Sequence, residues 1–151
     1  MKISWTSLKV SIAGAKLSHL VQKDKIWDHG SMVEQVRNIF YIMERARNSD
    51  ETDTIKKCLT TNGFEKFKSQ LKVFETSRSF NKTAVIMEIA IVQVTPAKKQ
   101  KPDGFVAMIK GKRKASEDFI PPEITNYGIE NFSEEWFFIR QGEWWLLDGI
   151  K

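Results

Sequence analysis

The chain has 151 residues, of which 41% are hydrophobic and 28% charged, a composition typical of a single globular domain with its own core. No run approaches the roughly 20 apolar residues of a membrane-spanning helix. The first residues also lack the continuous apolar segment of a signal peptide, so we expect a cytoplasmic or peripheral membrane protein. Cys58 is the only cysteine, which excludes a disulfide framework and a zinc site made of thiolates. The net charge of +5 favours an anionic partner, although a solvated basic face gives the same excess.

Residues 1–25 contain a seven-residue repeat of lysines at Lys2, Lys9, Lys16 and Lys23. On a helical wheel this lysine column falls between two apolar columns, Trp5 with Ile12 and Ala13 with Leu20. A helix that lies on a membrane places its lysines opposite its apolar face, so the arrangement argues against a membrane anchor. We therefore expect a loosely packed N-terminal arm over residues 1–25 and a folded domain over residues 26–151.

Two amphipathic helices are predicted in the first half of the domain, with a short helix around Thr54–Leu59 between them. In the first, over Met32–Arg47, apolar residues recur at helical spacing, and Ser31 with Glu34 forms a candidate capping box. Asn62 and Glu65 open the second helix in the same manner. Its apolar stripe consists of Phe64, Phe67, Leu71 and Phe74.

The apolar period then changes from 3.6 to 2, which predicts strands. Thr83–Thr95 is a long β-branched run with Val85, Met87, Ile89 and Ile91 on one face. A polar loop with turn residues follows, and Phe105–Lys114 is the predicted returning strand. Residues 116–131, which include Pro121 and Pro122, form an irregular excursion.

The last segment, Ser133–Lys151, predicts a β-hairpin with Gln141 and Gly142 as its two-residue turn. Alternation along the strands places Trp136, Phe138, Trp145 and Leu147 on one face. The other face carries Phe137, Ile139, Trp144 and Leu146. Both faces are apolar, whereas a surface hairpin needs only one apolar side. Helices can cover one face, and a partner subunit, a curled sheet or a ligand must cover the other.

The order of these elements predicts an α+β fold, in which N-terminal helices pack on a four-stranded antiparallel sheet. The second apolar face implies that the sheet curls into a cone, dimerises, or both.

Three stretches together resemble the C-terminal domain of subunit 44 of the mitochondrial inner-membrane translocase, within the nuclear-transport-factor-2-like superfamily. They are Ile26–His29 with Val33–Arg45, Cys58–Thr60 with Phe64–Phe67, and Glu134–Arg140 with Trp145–Ile150. The resemblance spans residues 26–151. It implies a cone-shaped apolar pocket between curved sheet and helices, in a domain that attaches to membranes or to translocating protein.

Glu135 falls opposite Asp148 in the predicted hairpin register. Like charges across a ladder are destabilising unless a cation, a proton or a donor lies between them. The pair could act as general acid and base, as in isomerases and dehydratases of the superfamily, or simply lie at a solvated sheet end and pair with lysines. His19 and His29 have no ligand pattern around them, so we expect no metal site and no cofactor.

Two lysine clusters are candidates for an anionic surface. Lys110, Lys112 and Lys114 share one face of the predicted strand and could contact an anionic membrane, or could blunt a sheet edge against aggregation. The other cluster, Lys98, Lys99 and Lys101, lies at the opposite end of that hairpin, roughly 30 Å away at about 3.3 Å per residue. The separation argues against a continuous nucleic-acid track.

We therefore expect a non-enzymatic binding module that holds a lipid, a hydrophobic small molecule or a polypeptide segment, peripheral to a membrane and linked to protein transport. The predicted pocket consists of Phe40, Phe67, Phe74, Trp136 and Trp145, with Glu135 and Asp148 at its mouth. One alternative is a small isomerase or dehydratase in which Glu135 or Asp148 is the base. Another is a structural domain that uses its second apolar face to form a homodimer.

Overall fold

Four antiparallel strands form one open sheet in the order β1-β2-β3-β4, and the helices precede them in the chain. The computed structural model describes residues 4–49, 53–76, 82–115 and 129–151. Residues 116–128 of the predicted irregular excursion therefore lie outside the described residues, and its last three residues belong to a strand. The elements are α1 (Trp5–Leu20), a 3-10 turn (Lys25–Trp27), α2 (His29–Ser49), α3 (Asp53–Lys56), α4 (Thr61–Thr76), β1 (Lys82–Thr95), β2 (Gly104–Ala115), β3 (Ile129–Gln141) and β4 (Trp144–Ile150). The predicted α+β fold is confirmed.

The main core lies between the helices and one face of the sheet, here called the covered face. This face contributes the four side chains that alternation grouped together, and all of them are buried: Trp136, Phe138, Trp145 and Leu147. The predicted stripe of α2 packs against them, with Met32, Val36, Ile39, Phe40, Met43 and Ala46 all buried. Burial of these apolar surfaces is the main driving force for helix docking.

Helices α2 and α4 both begin earlier than the capping-box motifs predicted. Asp28, not Ser31, caps α2, because its carboxylate accepts a hydrogen bond from the Ser31 backbone N–H at 2.9 Å. Thr60, not Asn62, caps α4, since its hydroxyl accepts from the Gly63 N–H at 3.0 Å. In each case a preceding residue with a side-chain oxygen satisfies the free N–H groups of the first turn.

The terminal hairpin turns at Gly142 and Glu143, one residue later than predicted. Gln141 pairs with Trp144, and Gly142 has φ +64°. A two-residue turn with glycine in its first central position needs a positive φ there only, whereas the predicted turn put glutamine in that position. The shift moves the pairing by two residues, so each side chain keeps its predicted face.

β1 departs from the strict alternation that the sequence predicted. Two irregularities, between Ile86 and Glu88 and between Ile91 and Gln93, insert an extra residue each against β2. Each such bulge bends the strand and changes which alternate residues point inward. As a result Ile86, Ile89, Ile91 and Val94 belong to the main core, while Val85 and Met87 are exposed.

Residues 5–20 form a helix and not a loose arm. Ser4 accepts a hydrogen bond from the Ser7 N–H at 3.0 Å and caps it. Ala13 and Leu17 are buried in the main core, and Leu20 packs against it. Helix α1 is therefore docked on the folded domain.

Candidate functional site

The aromatic residues predicted to line a pocket lie in the packed interior. Phe40 and Trp136 are fully buried with ring centroids 5.4 Å apart. Trp145 lies 5.0 Å from Trp27, and its indole N–H donates to the Ile26 carbonyl at 3.2 Å. These rings fill the space between helices and sheet with one another. Their role as ligand contacts stays a prediction.

One small cavity adjoins this aromatic core. It has a volume of about 30 Å³ and is lined by Met43, Leu59, Gly63, Lys66, Phe67, Leu147, Gly149 and Ile150. A space of this size holds about one water molecule. Of the predicted pocket residues, only Phe67 lines it; Phe74 belongs to α4, but its side chain lies outside the described residues.

Glu135 and Asp148 do not face each other, so the predicted acid pair is absent. The observed register pairs the Glu135 backbone with Lys151. Asp148 lies at the irregularity of β4, where its carboxylate accepts a hydrogen bond from the Thr60 hydroxyl at 2.7 Å. Because Thr60 caps α4, this bond fixes the helix N-terminus to the sheet, where a carboxylate also complements the helix dipole.

Gly63 allows α4 to approach β4 this closely. A Cβ at this position would lie 2.5 Å from the Leu147 carbonyl oxygen, well inside van der Waals contact. The backbone of residues 58–60 also pairs with Leu147, through the Thr60 and Leu147 N–H groups. Asp148 is thus part of a structural junction.

Arginines join the rest of the chain to the sheet at two places that the sequence did not reveal. The first junction is formed by Arg140, whose guanidinium donates to Asp24 at 2.7 Å and to Asp103 at 3.1 Å. The hydrogen bond from Arg140, with a second from the Ile26 N–H, lowers the pKa of Asp24 below its ordinary value.

The second junction is formed by Arg113, which belonged to the basic run at the end of β2. It points into the core and contacts Glu44 of α2 at 3.3 Å and Glu134 of β3 at 2.9 Å. Glu44 is buried as well as paired, with 8% of its surface exposed.

Helix α1 carries a second apolar stripe, which is not packed against the main core. Trp5, Leu8 and Ile12 are spaced i, i+3, i+7 and share one side of the helix. Their exposed fractions are 70%, 41% and 51%. The opposite stripe, with Ala13 and Leu17, is the one buried against the domain. The lysine column lies between the two, which explains why the wheel did not show a single polar face.

The charge on this helix has one sign. The first 23 residues contain four lysines and no acidic residue. Lys9 lies with its Nζ 5.8 Å from the Trp5 ring centroid, and Lys16 is exposed one heptad further on. The exposed stripe of α1, defined as Trp5, Leu8 and Ile12, is therefore bordered by cations.

The face of the sheet that points away from the main core, here called the open face, has its own apolar cluster. In the described part of the chain this cluster is formed by strand residues alone: Ala90, Val92, Val106 and Met108, with Phe137 packed against them. Trp144, at the hairpin tip, is 68% exposed on this face. This is the second apolar face that the sequence predicted.

Two of the predicted anionic-surface lysines occupy one end of the open face. Lys110 and Lys112 are exposed and border a depression of about 360 Å³. Lys114 follows on the same strand, but its side chain lies outside the described residues. The other lysine cluster, at Lys98 and Lys101, is in the loop between β1 and β2.

Neither a metal cluster nor a transmembrane helix occurs in the part of the chain that the structure describes. Within those ranges no three His, Cys, Asp or Glu side chains come together as a metal site. None of the described helices has the length and apolarity needed to cross a bilayer.

No protein-family model matches the chain, and no curated protein is significantly similar to it. A solved structure with a similar fold is the intermembrane-space region of the chloroplast protein ARC6. The two share a TM-score of 0.57 at 12% sequence identity, over 82% of this chain and 95% of that one. At this identity the likeness shows a common fold alone. The family resemblance drawn from the sequence therefore stays a prediction.

Proposed function

We propose that this protein is a non-enzymatic binding module that attaches to an anionic membrane surface through the exposed stripe of α1. The observation that carries the proposal is the division of α1 into two apolar stripes, one buried in the domain and the other exposed beside a column of lysines. Interfacial helices combine aromatic and aliphatic residues on one side with flanking lysines in this way. The exposed Trp5 suits the headgroup level, where tryptophan is enriched.

The two contributions to membrane binding are of similar size. Burying the exposed parts of Trp5, Leu8 and Ile12 would contribute roughly 1 kcal/mol each, since each is already partly covered. Lys9 and Lys16 would each add about 1 kcal/mol near anionic headgroups. Binding should therefore need both the stripe and the lysines, and high salt should weaken it without abolishing it.

The neighbouring structure gives the proposal a setting. That structure is the intermembrane-space region of a chloroplast protein, and the intermembrane space is a compartment bounded by membranes. A role in protein transport, implied by the family resemblance, belongs to this proposal as an expectation about its partner.

A second candidate function rests on the open face. The exposed Trp144 favours a polypeptide segment or a second copy of the chain as occupant, while the strand cluster beside it is itself buried. This differs from the interior pocket expected from the sequence, where Phe40 and Trp136 are buried against each other. The enzymatic alternative lacks such support, since Asp148 is bonded to a helix cap and Glu135 lies apart from it.

Flotation with phosphatidylcholine vesicles, with and without phosphatidylglycerol, tests the membrane proposal. Ile12→Asp should reduce binding to the anionic vesicles by about tenfold or more, since it places a charge in the stripe. Ser18→Asp is the matched control: it makes the same change of net charge at an exposed position of α1 away from the stripe.

Equal loss in both variants would mean that net charge alone drives binding and would contradict the role of the stripe. Absence of any binding to anionic vesicles at low salt would refute the membrane proposal altogether. Light scattering on the same samples identifies the competing occupant, because a second copy on the stripe would make Ile12→Asp change the oligomeric state.

A further inference from the structure

We infer that the depression beside Lys110 and Lys112 is a binding site for the phosphate group of a ligand that also has an apolar part. It lies on the open face and uses residues of β2 and β3. The inference goes beyond membrane attachment by α1, since no residue of that helix lines the depression.

The sheet register brings four hydrogen-bond donors to one spot. Lys110 pairs directly with Ser133, and Lys112 pairs with Asn131. Neighbours across a ladder lie about 5 Å apart and residues i, i+2 about 7 Å apart on the same face. The two lysines, the serine and the asparagine thus share one face of β2 and β3 and line the same depression.

These donors are not engaged elsewhere. Within the described ranges the side chains of Lys110, Lys112, Asn131 and Ser133 make no hydrogen bond or ion pair. Arg113, between the same two strands, points to the other face and is held by Glu44 and Glu134. Strand alternation therefore places Arg113, which is held in ion pairs, on one face of β2, and Lys110 and Lys112 on the other face.

The floor of the depression is closed and apolar. Phe132 lies beneath it, stacked on Phe40 at 5.9 Å and under the Arg113 guanidinium at 4.3 Å. Gly111, between the two lysines, lies so close to the Val85 carbonyl oxygen and the Phe132 ring that any side chain there would collide with them. Because the floor is fixed by the core, a ligand would meet a preformed surface.

The walls define the class of ligand. Met87 borders the depression and is 67% exposed, and its neighbour Val85 is 52% exposed opposite Lys112. A volume of about 360 Å³ is at the lower end of the range for small-ligand sites. A phosphate ester with a short apolar part satisfies both the donors and the methionine wall, and it could be a lipid headgroup or a free phosphorylated molecule.

One acidic residue, Glu88, determines which of the two lysines should contribute more to phosphate binding. Glu88 lies directly opposite Lys110 on β1, whereas Lys112 lies opposite Val85. Glu88 competes with a phosphate for Lys110 and repels it. Lys112 should therefore contribute more to binding than Lys110, and removal of the Glu88 charge should strengthen binding.

Titration of the whole chain with inorganic phosphate, followed by amide NMR at constant ionic strength, tests the site. Saturable shifts are expected at residues 110–112 and 131–133. Lys112→Gln should weaken binding by about fivefold, as for loss of one exposed ion pair, and Glu88→Gln should tighten it. Lys98→Gln, in the other lysine cluster, is the matched control and should leave the affinity unchanged.

Vesicle flotation of the same variants distinguishes the two sources of phosphate. If the ligand is a lipid headgroup, Lys112→Gln also lowers binding to phosphatidylglycerol vesicles; if it is a free phosphorylated molecule, only the phosphate titration changes. Shifts that chloride reproduces, or that Lys98→Gln reduces as much as Lys112→Gln, would overturn the inference. Ile12→Asp should leave the phosphate titration unchanged, so failure of one proposal is separable from failure of the other.

Discussion

Two adjacent tryptophans show how differently the two faces of the sheet are used. Trp145 is 1% exposed on the covered face, while Trp144 is 68% exposed on the open face. The same contrast recurs on β2, where Arg113 is enclosed by two carboxylates and Lys112 points outward. The covered face is organised for stability, whereas the open face leaves similar residue types exposed at Trp144 and Lys112.

The largest expected effect comes from exchanging the two tryptophans in turn for alanine. Trp145→Ala should lower the free energy of unfolding by about 3–5 kcal/mol, because it leaves a cavity among Trp27 and Phe105. Trp144→Ala should change it by less than about 0.5 kcal/mol. Chemical denaturation measures both, and light scattering shows whether Trp144→Ala alters the oligomeric state. Similar losses of stability in the two variants would mean that the open face is covered in solution.

A smaller difference is expected between the two cations of β2. Arg113→Met removes the cation between Glu44 and Glu134 and should cost about 2 kcal/mol, less than the roughly 3–5 kcal/mol of a fully buried pair because the site is partly exposed. Lys112→Met should be within about 0.5 kcal/mol of the parent. Equal effects would show that the Arg113 junction does not hold α2 to the sheet.

The smallest expected effect on stability is at the ion pairs of Arg140 with Asp24 and Asp103. The pKa of Asp24 is lowered from its ordinary value of 3.8 by the Arg140 hydrogen bond and then by the Ile26 N–H. A lowered pKa in the folded state stabilises the protein above the ordinary pKa, and this contribution is lost as the pH falls through the lowered value.

Asp24→Asn should therefore reduce stability near neutral pH, and its difference from the parent should shrink as the pH falls below 3.8. Thermal unfolding over that pH range measures the difference. Glu65→Gln removes an equal charge from an exposed position of α4 and is the control. A difference from the parent that is independent of pH would contradict the assigned role of Asp24.

Much of the fold followed from local patterns. The stripe of α2 and the two faces of the hairpin were predicted correctly because side-chain period depends only on the backbone conformation. The predicted hairpin faces are correct although the turn lies one residue later than predicted, since a shift of two residues in the pairing preserves alternation. The predicted pairing of Glu135 with Asp148 is wrong, because which residues lie opposite one another depends on the register.

The candidate sites were harder to predict. Of the aromatic residues assigned to a pocket, four are core residues: Phe40, Phe67, Trp136 and Trp145. No pattern in the sequence separates an aromatic that fills space from one that lines a pocket. The sequence did contain the two apolar columns of α1. A membrane-surface helix is expected to have a single polar face. In α1 the column with Ala13 is instead buried in the domain, and only the column with Trp5 and Ile12 is exposed.

The sequence alone determined the types of the elements after α1, the amphipathic stripes, the apolar character of both hairpin faces and the lysine column of residues 1–23. Tertiary structure decided which stripe of α1 is buried, which face of the sheet the helices cover, and where Asp148, Arg113 and Arg140 find their partners. The physical reason is that periodicity is a property of neighbouring residues, whereas coverage and pairing depend on segments that meet from distant parts of the chain.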